Sequence, residues 1–265
     1  MKLLTLTTAI VVSSVLTLSA STAFAQTAEE KGLAISKEAK ARDEGWVDIV
    51  SSMNMVLRNK QGQESIRDIR SKTLEIANDG DKSLSIFDKP RDVKGTAFLS
   101  FSHTVGNDDQ WLYLPALKRV KRISSRNKSG PFMGSEFSFE DLASFEIEKY
   151  TYKFLKEEAC DLGTCFVIEQ YPVDKNSGYT RRISWLDTTE YRNVKTEFYD
   201  RKDSLLKTLT NHDFKQYKGK YWRADMAKMV NHQNQKSTDL KWKGYQFGTG
   251  LSSADFNKNT LKRAR

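Results

Sequence analysis

The sequence predicts a mostly β member of the α+β class: a curved, incomplete antiparallel β-barrel of about 10–11 strands with a few helices as its lid. Three observations lead there. From Trp46 onward, apolar residues recur with a period of two rather than 3.6, the mark of half-buried strands. These runs follow one another through short turns such as Asn78-Asp79-Gly80-Asp81 and Lys218-Gly219-Lys220, which suits an antiparallel meander. Helical signals are few, and no repeat of about 33–45 residues argues for a solenoid or propeller.

The first element is an address. Lys2 precedes an apolar run over 3–18, and Ala23-Phe24-Ala25 supplies the small residues read by a signal peptidase. The run falls short of the roughly 20 residues needed to span a bilayer. Cleavage is expected after Ala25, leaving a single domain over 26–265 in the periplasm. No cysteine near that point offers an attachment site for an N-terminal lipid. The whole chain has 265 residues, 43 Lys+Arg against 34 Asp+Glu, 38% hydrophobic residues, 14 Gly and 4 Pro. So little Gly and Pro excludes collagen and low-complexity disorder, and the composition excludes a polytopic membrane protein.

A polar segment over 27–42, with Leu33 and Ile35 as its apolar anchors, predicts a surface helix. Met53, Met55 and Leu57 then alternate with Ser52, Asn54 and Val56. Further strand patterns cover 66–76, 83–87, 96–102, 111–114, 145–155, 166–171, 179–186, 194–199, 205–214, 221–230 and 240–247. Short helical signals at 138–142 and 253–261 are candidate lids. In an oxidising compartment, Cys160 and Cys165 read as a disulfide across a hairpin loop, with Gly163 free to take positive φ. The rival reading, a redox pair, has the wrong spacing for Cys-x-x-Cys.

Signatures of catalysis are missing. There is no Gly-x-Ser-x-Gly elbow, phosphate-cradling Gly-x-x-x-x-Gly-Lys-Ser/Thr loop or His-Glu-x-x-His pair. His103, His212 and His232 stand apart from one another, and His103 beside Asp108 and Asp109 reads better as a turn than as a cation site. No cofactor, no metal and no enzymatic activity are expected. Nucleic acid is a poor partner for an exported chain whose basic residues are offset by acids.

The most informative stretch runs over 95–142. Asp108-Asp-Gln-Trp-Leu-Tyr-Leu-Pro-Ala-Leu-Lys-Arg-Val120, followed by Phe132-Met-Gly-Ser135 and Phe139-Glu-Asp-Leu142, resembles the outer-membrane lipoprotein-sorting proteins of the LolA-like group. That resemblance implies a half-barrel closed by helices over a hydrophobic cavity for acyl chains. It also implies a periplasmic carrier of lipid or acylated lipoprotein, sometimes beside an inner-membrane exporter of the resistance-nodulation-division type.

Met53, Met55, Leu57, Phe98, Phe101, Trp111 and Tyr113 suit the wall of such a cavity, and equally a core between sheet and helices. Alternation puts Phe98 and Phe101 on opposite faces, so both cannot line it. Phe132 and Met133, after a Gly-Pro loop, are candidates for a flap at its mouth. Lys118, Arg119, Lys121, Arg122, Arg126 and Lys128 concentrate positive charge in one short stretch. They could dock on an acidic exporter surface, make peripheral contact with anionic lipid, or keep a sheet edge soluble. The leading expectation is a non-enzymatic carrier, the second an exporter accessory subunit, and the last a lipid hydrolase.

Overall fold

The helix α1 (Ala28–Arg42) starts at a capping box: the Thr27 hydroxyl accepts from the Glu30 amide at 3.1 Å, and the Glu30 carboxylate accepts from the Thr27 amide at 2.9 Å. The structure is a computed structural model that describes residues 26–263. The signal sequence expected over 1–25 lies outside the described residues.

The strands are β1 (Asp48–Arg58), β2 (Glu64–Leu74), β3 (Lys82–Lys89), β4 (Ala97–Phe101), β5 (Asp109–Leu114), β6 (Arg119–Ile123) and β7 (Tyr150–Cys160). They continue as β8 (Gly163–Pro172), β9 (Tyr179–Asp187), β10 (Asn193–Asp200), β11 (Leu205–Tyr217), β12 (Tyr221–Asn231) and β13 (Ser237–Phe247). All belong to one antiparallel sheet in the order β6-β5-β4-β3-β2-β1-β13-β12-β11-β10-β9-β8-β7. Two meanders are thus zipped together along β1 and β13, and the sheet stays open between the free edges of β6 and β7.

This is a 13-stranded sheet, more than the expected 10–11. The strand that alternation missed is β6, whose Arg119-Val120-Lys121-Arg122 buries almost nothing until Ile123. A charged edge strand is a common defence against edge-to-edge pairing, and it erases the apolar period that would reveal it. The expected strand over 145–155 begins later, at Tyr150, after a 3-10 turn at Ile147–Lys149. The lid signals at 138–142 and 253–261 form 3-10 turns at Phe139–Leu142, Ser253–Asp255 and Lys258–Arg263, too short to sustain an α-helix.

Register shows which way the sheet curls. One row of directly opposed residues runs Ile168, Ser184, Thr196, Leu209, Met229, Thr238, Leu57 across β8 to β1. On the face this row marks, Leu112 of β5, Met55 of β1 and Phe198 of β10 belong to one apolar cluster. Strands at opposite ends of a sheet can share a core only if it curls with that face inward. The outer face carries a second cluster, Leu84, Ile86, Ala97 and Leu99, covered by Phe256 and Leu261 of the C-terminal segment. Buried Asp48 anchors that segment by accepting from the amides of Thr249, Gly250 and Leu251.

Helix α1 covers the β7–β9 end of the inner face, where Ile35 packs with Ile147, Tyr152, Ile168 and Leu186. Gly32 sets the approach: a Cβ there would lie 2.8 Å from the Phe154 backbone nitrogen. Cys160 and Cys165 form a disulfide across the β7–β8 turn, where Gly163 has φ 111°.

Candidate functional site

The concave face is filled by the chain itself. The long connection from β6 to β7 folds inward, and its Phe132, Phe137 and Phe139 join Met53, Met55, Ile69, Phe87 and Phe98 in the inner cluster. Phe132 is only 2% exposed; its ring centroid lies 5.1 Å from that of Phe98, 5.7 Å from Phe139 and 5.9 Å from Phe87. Segment 131–142 is therefore a plug. It is also self-braced, because Pro131 and Ser138 form a β-bridge and the Phe132 amide donates to the Phe137 carbonyl at 2.7 Å.

Polar ties hold the plug from both sides of the barrel. From β2, Arg67, opposed to Met55 on the inner face, donates to the Met133 carbonyl. Burial pushes the Arg67 guanidinium below its usual pKa, with only the Asp92 charge opposing the shift. From β11, Lys207 donates to Asp141 Oδ2 at 2.6 Å and to the Glu136 carbonyl at 2.9 Å. The Lys207 and Asp141 side chains are 4% and 6% exposed, so this ion pair is almost dry. Tyr179 donates to Asp141 Oδ1 at 2.8 Å, and burial raises its own pKa well above the usual phenol value.

Glu140, the next acid in the plug, accepts from the Gly178 amide at 2.9 Å and the Ser177 hydroxyl at 3.0 Å. Burial, and then the Asp141 charge, raise the Glu140 carboxyl above its ordinary value. Between the plug and α1 runs a polar seam on the inner face. Arg182 donates to Gln170 Oε1 at 2.6 Å and lies over the Tyr150 ring at 4.0 Å, while Ser184 bonds Gln170 and Thr196. Two cavities flank the plug, about 720 Å³ beside Tyr179 and Lys207, and about 280 Å³ beside Leu57, Gly134 and Glu136.

The sheet is curled and open, and its interior is occupied by an apolar segment of the chain itself. A family model with the description "-like: Uncharacterized protein" matches residues 79–263. An outer membrane lipoprotein-sorting protein domain from Vibrio parahaemolyticus is 62% identical and superposes with a TM-score of 0.87, over 89% of this chain and 100% of that one. The chain belongs to the family of this outer membrane lipoprotein-sorting protein domain and has a LolA-like fold. A DUF1329 family protein from Desulfovibrio piger is 27% identical, with a TM-score of 0.84 over 89% of this chain and 99% of that one. A LolA superfamily protein from Nitrosomonas europaea shares the fold at 20% identity, with a TM-score of 0.69 over 89% of this chain and 99% of its own. Comparison with curated proteins finds no match.

In this LolA-like chain the candidate wall residues divide by face. Met53, Met55 and Phe98 belong to the inner cluster and Leu57 packs against it. Phe101, Trp111 and Tyr113 instead pack on the outer cluster under the C-terminal segment. Of the flap candidates, Phe132 is inside rather than at the mouth, and Met133 packs beside it.

The basic residues do not make one surface. Register places Arg119 and Lys121 opposite Leu114 and Leu112, on the inner side of β6, and Arg122 opposite Trp111 on the outer side. Arg122 pairs with Asp109 at 2.5 Å, and Lys128 turns inward to Asp174 at 2.7 Å. Lys118 sits at the β5–β6 turn in a left-handed conformation, and Arg126 in the 3-10 turn at Ser125–Asn127. The carboxylates near His103 are also engaged: Asp109 by Arg122, and Asp108 by Lys149.

Sequence reading missed Arg67, Asp141, Tyr179 and Lys207. One signal was available for Lys207, a lysine at the same strand parity as apolar Leu209. Nothing local to β2 or to the plug announces that Arg67 and Met133 meet.

Proposed function

We propose that this protein is a non-enzymatic periplasmic carrier that takes the acyl chain of a lipid or lipid-modified protein into its concave face by exchanging it for the 131–142 plug. The observation that carries this reading is the occupancy of the inner face by Phe132, Phe137 and Phe139, on a segment that is also tied by polar contacts to Arg67, Lys207 and Tyr179.

Exchange is energetically balanced. Burying a methylene is worth about 0.8 kcal/mol, so a chain of about 12 methylenes gains about 10 kcal/mol, against about 5–9 kcal/mol for three phenylalanine side chains. The apolar surplus is small enough for the polar ties of Lys207 and Arg67 to the plug to offset it, so that cargo can be released. Met53, Met55, Leu57 and Phe98 would then contact the chain, methionine and aromatic rings adapting to its shape. The kinship with a lipoprotein-sorting domain supports the same reading.

The test is native mass spectrometry, with organic extraction, of mature protein released from a periplasm without detergent, followed by titration with a fluorescent acyl probe. A discrete lipid, or saturable probe uptake, is expected. Protein that is empty and takes up no probe would overturn the carrier reading.

A further inference from the structure

The larger cavity beside the plug has a chemistry of its own. Its lining includes three cations, Arg201, Lys202 and Lys207, and a single carboxylate, Asp200. Asp200 is already engaged: Oδ1 accepts from the amides of Lys202 at 2.8 Å and Ser204 at 3.1 Å, and Oδ2 accepts from Gln233 at 2.9 Å. Asp203, next along the β10–β11 turn, is held by Arg181 at 2.8 Å.

The cations are less committed. Arg201 donates to two backbone carbonyls, of Ser177 at 3.1 Å and Asn176 at 3.2 Å, and pairs with no carboxylate among the described residues. Lys202 is exposed and makes no ion pair among them. An exposed guanidinium, a free ammonium and the Ser204 hydroxyl around an open cavity are the donors a phosphate group requires. Leu205 and Leu206 add apolar surface on the same wall. At the inner end lie Tyr179 and Lys207, both bonded to Asp141 of the plug.

We infer that this cavity binds a phosphate-type anion, and that filling it draws Lys207 away from Asp141 and loosens the plug. The site deepens the carrier reading and rests on it for its purpose, while its binding chemistry can be tested without any acyl chain. An anion entering beside Lys207 competes for the ammonium that Asp141 now holds. By linkage, whatever opens the plug must also tighten the anion. The shared ligand chemistry is a phosphate, whether free or on a lipid headgroup.

The experiment titrates the intact mature protein with inorganic phosphate, and separately with vesicles of phosphatidylglycerol or of phosphatidylcholine alone. Binding is followed by calorimetry or sedimentation, and the plug by amide hydrogen exchange over 131–142. Expected is saturable binding to phosphate or to phosphatidylglycerol vesicles, with exchange in the plug rising at least tenfold on saturation. Lys202→Glu combined with Arg201→Gln, both at exposed positions, should weaken binding at least tenfold without changing the fold. A response to inorganic phosphate alone identifies a free anion, and a response only to phosphatidylglycerol identifies a headgroup. No saturable binding, binding unchanged in the double variant, or binding that leaves plug exchange unaltered would each overturn the inference. Failure of acyl-probe uptake with anion binding intact would count against the carrier reading alone.

Discussion

Lys207 of β11 and Asp141 of the plug meet at 2.6 Å with both side chains almost free of solvent. The pair joins residues far apart in sequence and is the one ion pair, among the described residues, in which both side chains are that deeply buried. Removing one partner strands the other. Lys207→Met is expected to cost about 3–5 kcal/mol, because the Asp141 charge is left without its cation. Adding Asp141→Asn should recover part of that loss, since the amide can still bond Ser138 and Tyr179. Urea unfolding of the single and double variants measures both effects; equal stability of wild type and Lys207→Met would show that the pair does not hold the plug.

Phe132 is the centre of the stopper, and its truncation should pull stability and uptake in opposite directions. Phe132→Ala removes a ring that is 2% exposed, which costs about 3–5 kcal/mol for a well-packed core position. The vacated space should raise the affinity for a fluorescent acyl probe, since less must be displaced. Tighter unfolding thresholds or weaker uptake in the variant would contradict the plug model.

Asp81, at the β2–β3 turn, makes stability depend on pH. Burial pushes its carboxyl up to about 6, with the charges of Glu146 and Glu75 adding to the rise and a hydrogen bond from the Ile76 amide opposing it. The folded state therefore holds a proton that the unfolded chain has already lost between about pH 4 and 6, and stability falls as pH rises through that window. Asp81→Asn should be more stable than wild type by about 1–2 kcal/mol above pH 7, with the difference vanishing below pH 4. Thermal unfolding across that range checks the sign.

The disulfide staples one turn and little else. Replacing Cys160 and Cys165 with serine should lower stability by about 2 kcal/mol, as expected for so short a loop, and leave the plug unaffected. Denaturant unfolding under oxidising conditions, with hydrogen exchange over 131–142 as the control, distinguishes a local staple from a global one.

Much of the architecture was legible from residue order. Period-two runs marked nearly every strand, the polar segment over 27–42 with Leu33 and Ile35 marked α1, and Cys160, Gly163 and Cys165 marked the stapled turn, because each depends on neighbours a few residues away. The charged edge strand β6 escaped for the same reason: an exposed strand writes no apolar period into its sequence. Alternation also separated Phe98 from Phe101, but it could not say which of them faced inward.

That choice belonged to the tertiary structure. Only the pairing of β1 with β13, and the curl it allows, decides that Met55 and Phe98 face the interior while Trp111 and Tyr113 face out beneath the C-terminal segment. Only the inward fold of 131–142 turns Phe132 from a flap at the mouth into a stopper, and brings Lys207 and Arg67 to it from opposite meanders. Local sequence determines which residues alternate and where the chain turns; burial of a concave face is a property of the whole sheet, and no short stretch of sequence encodes what will fill it.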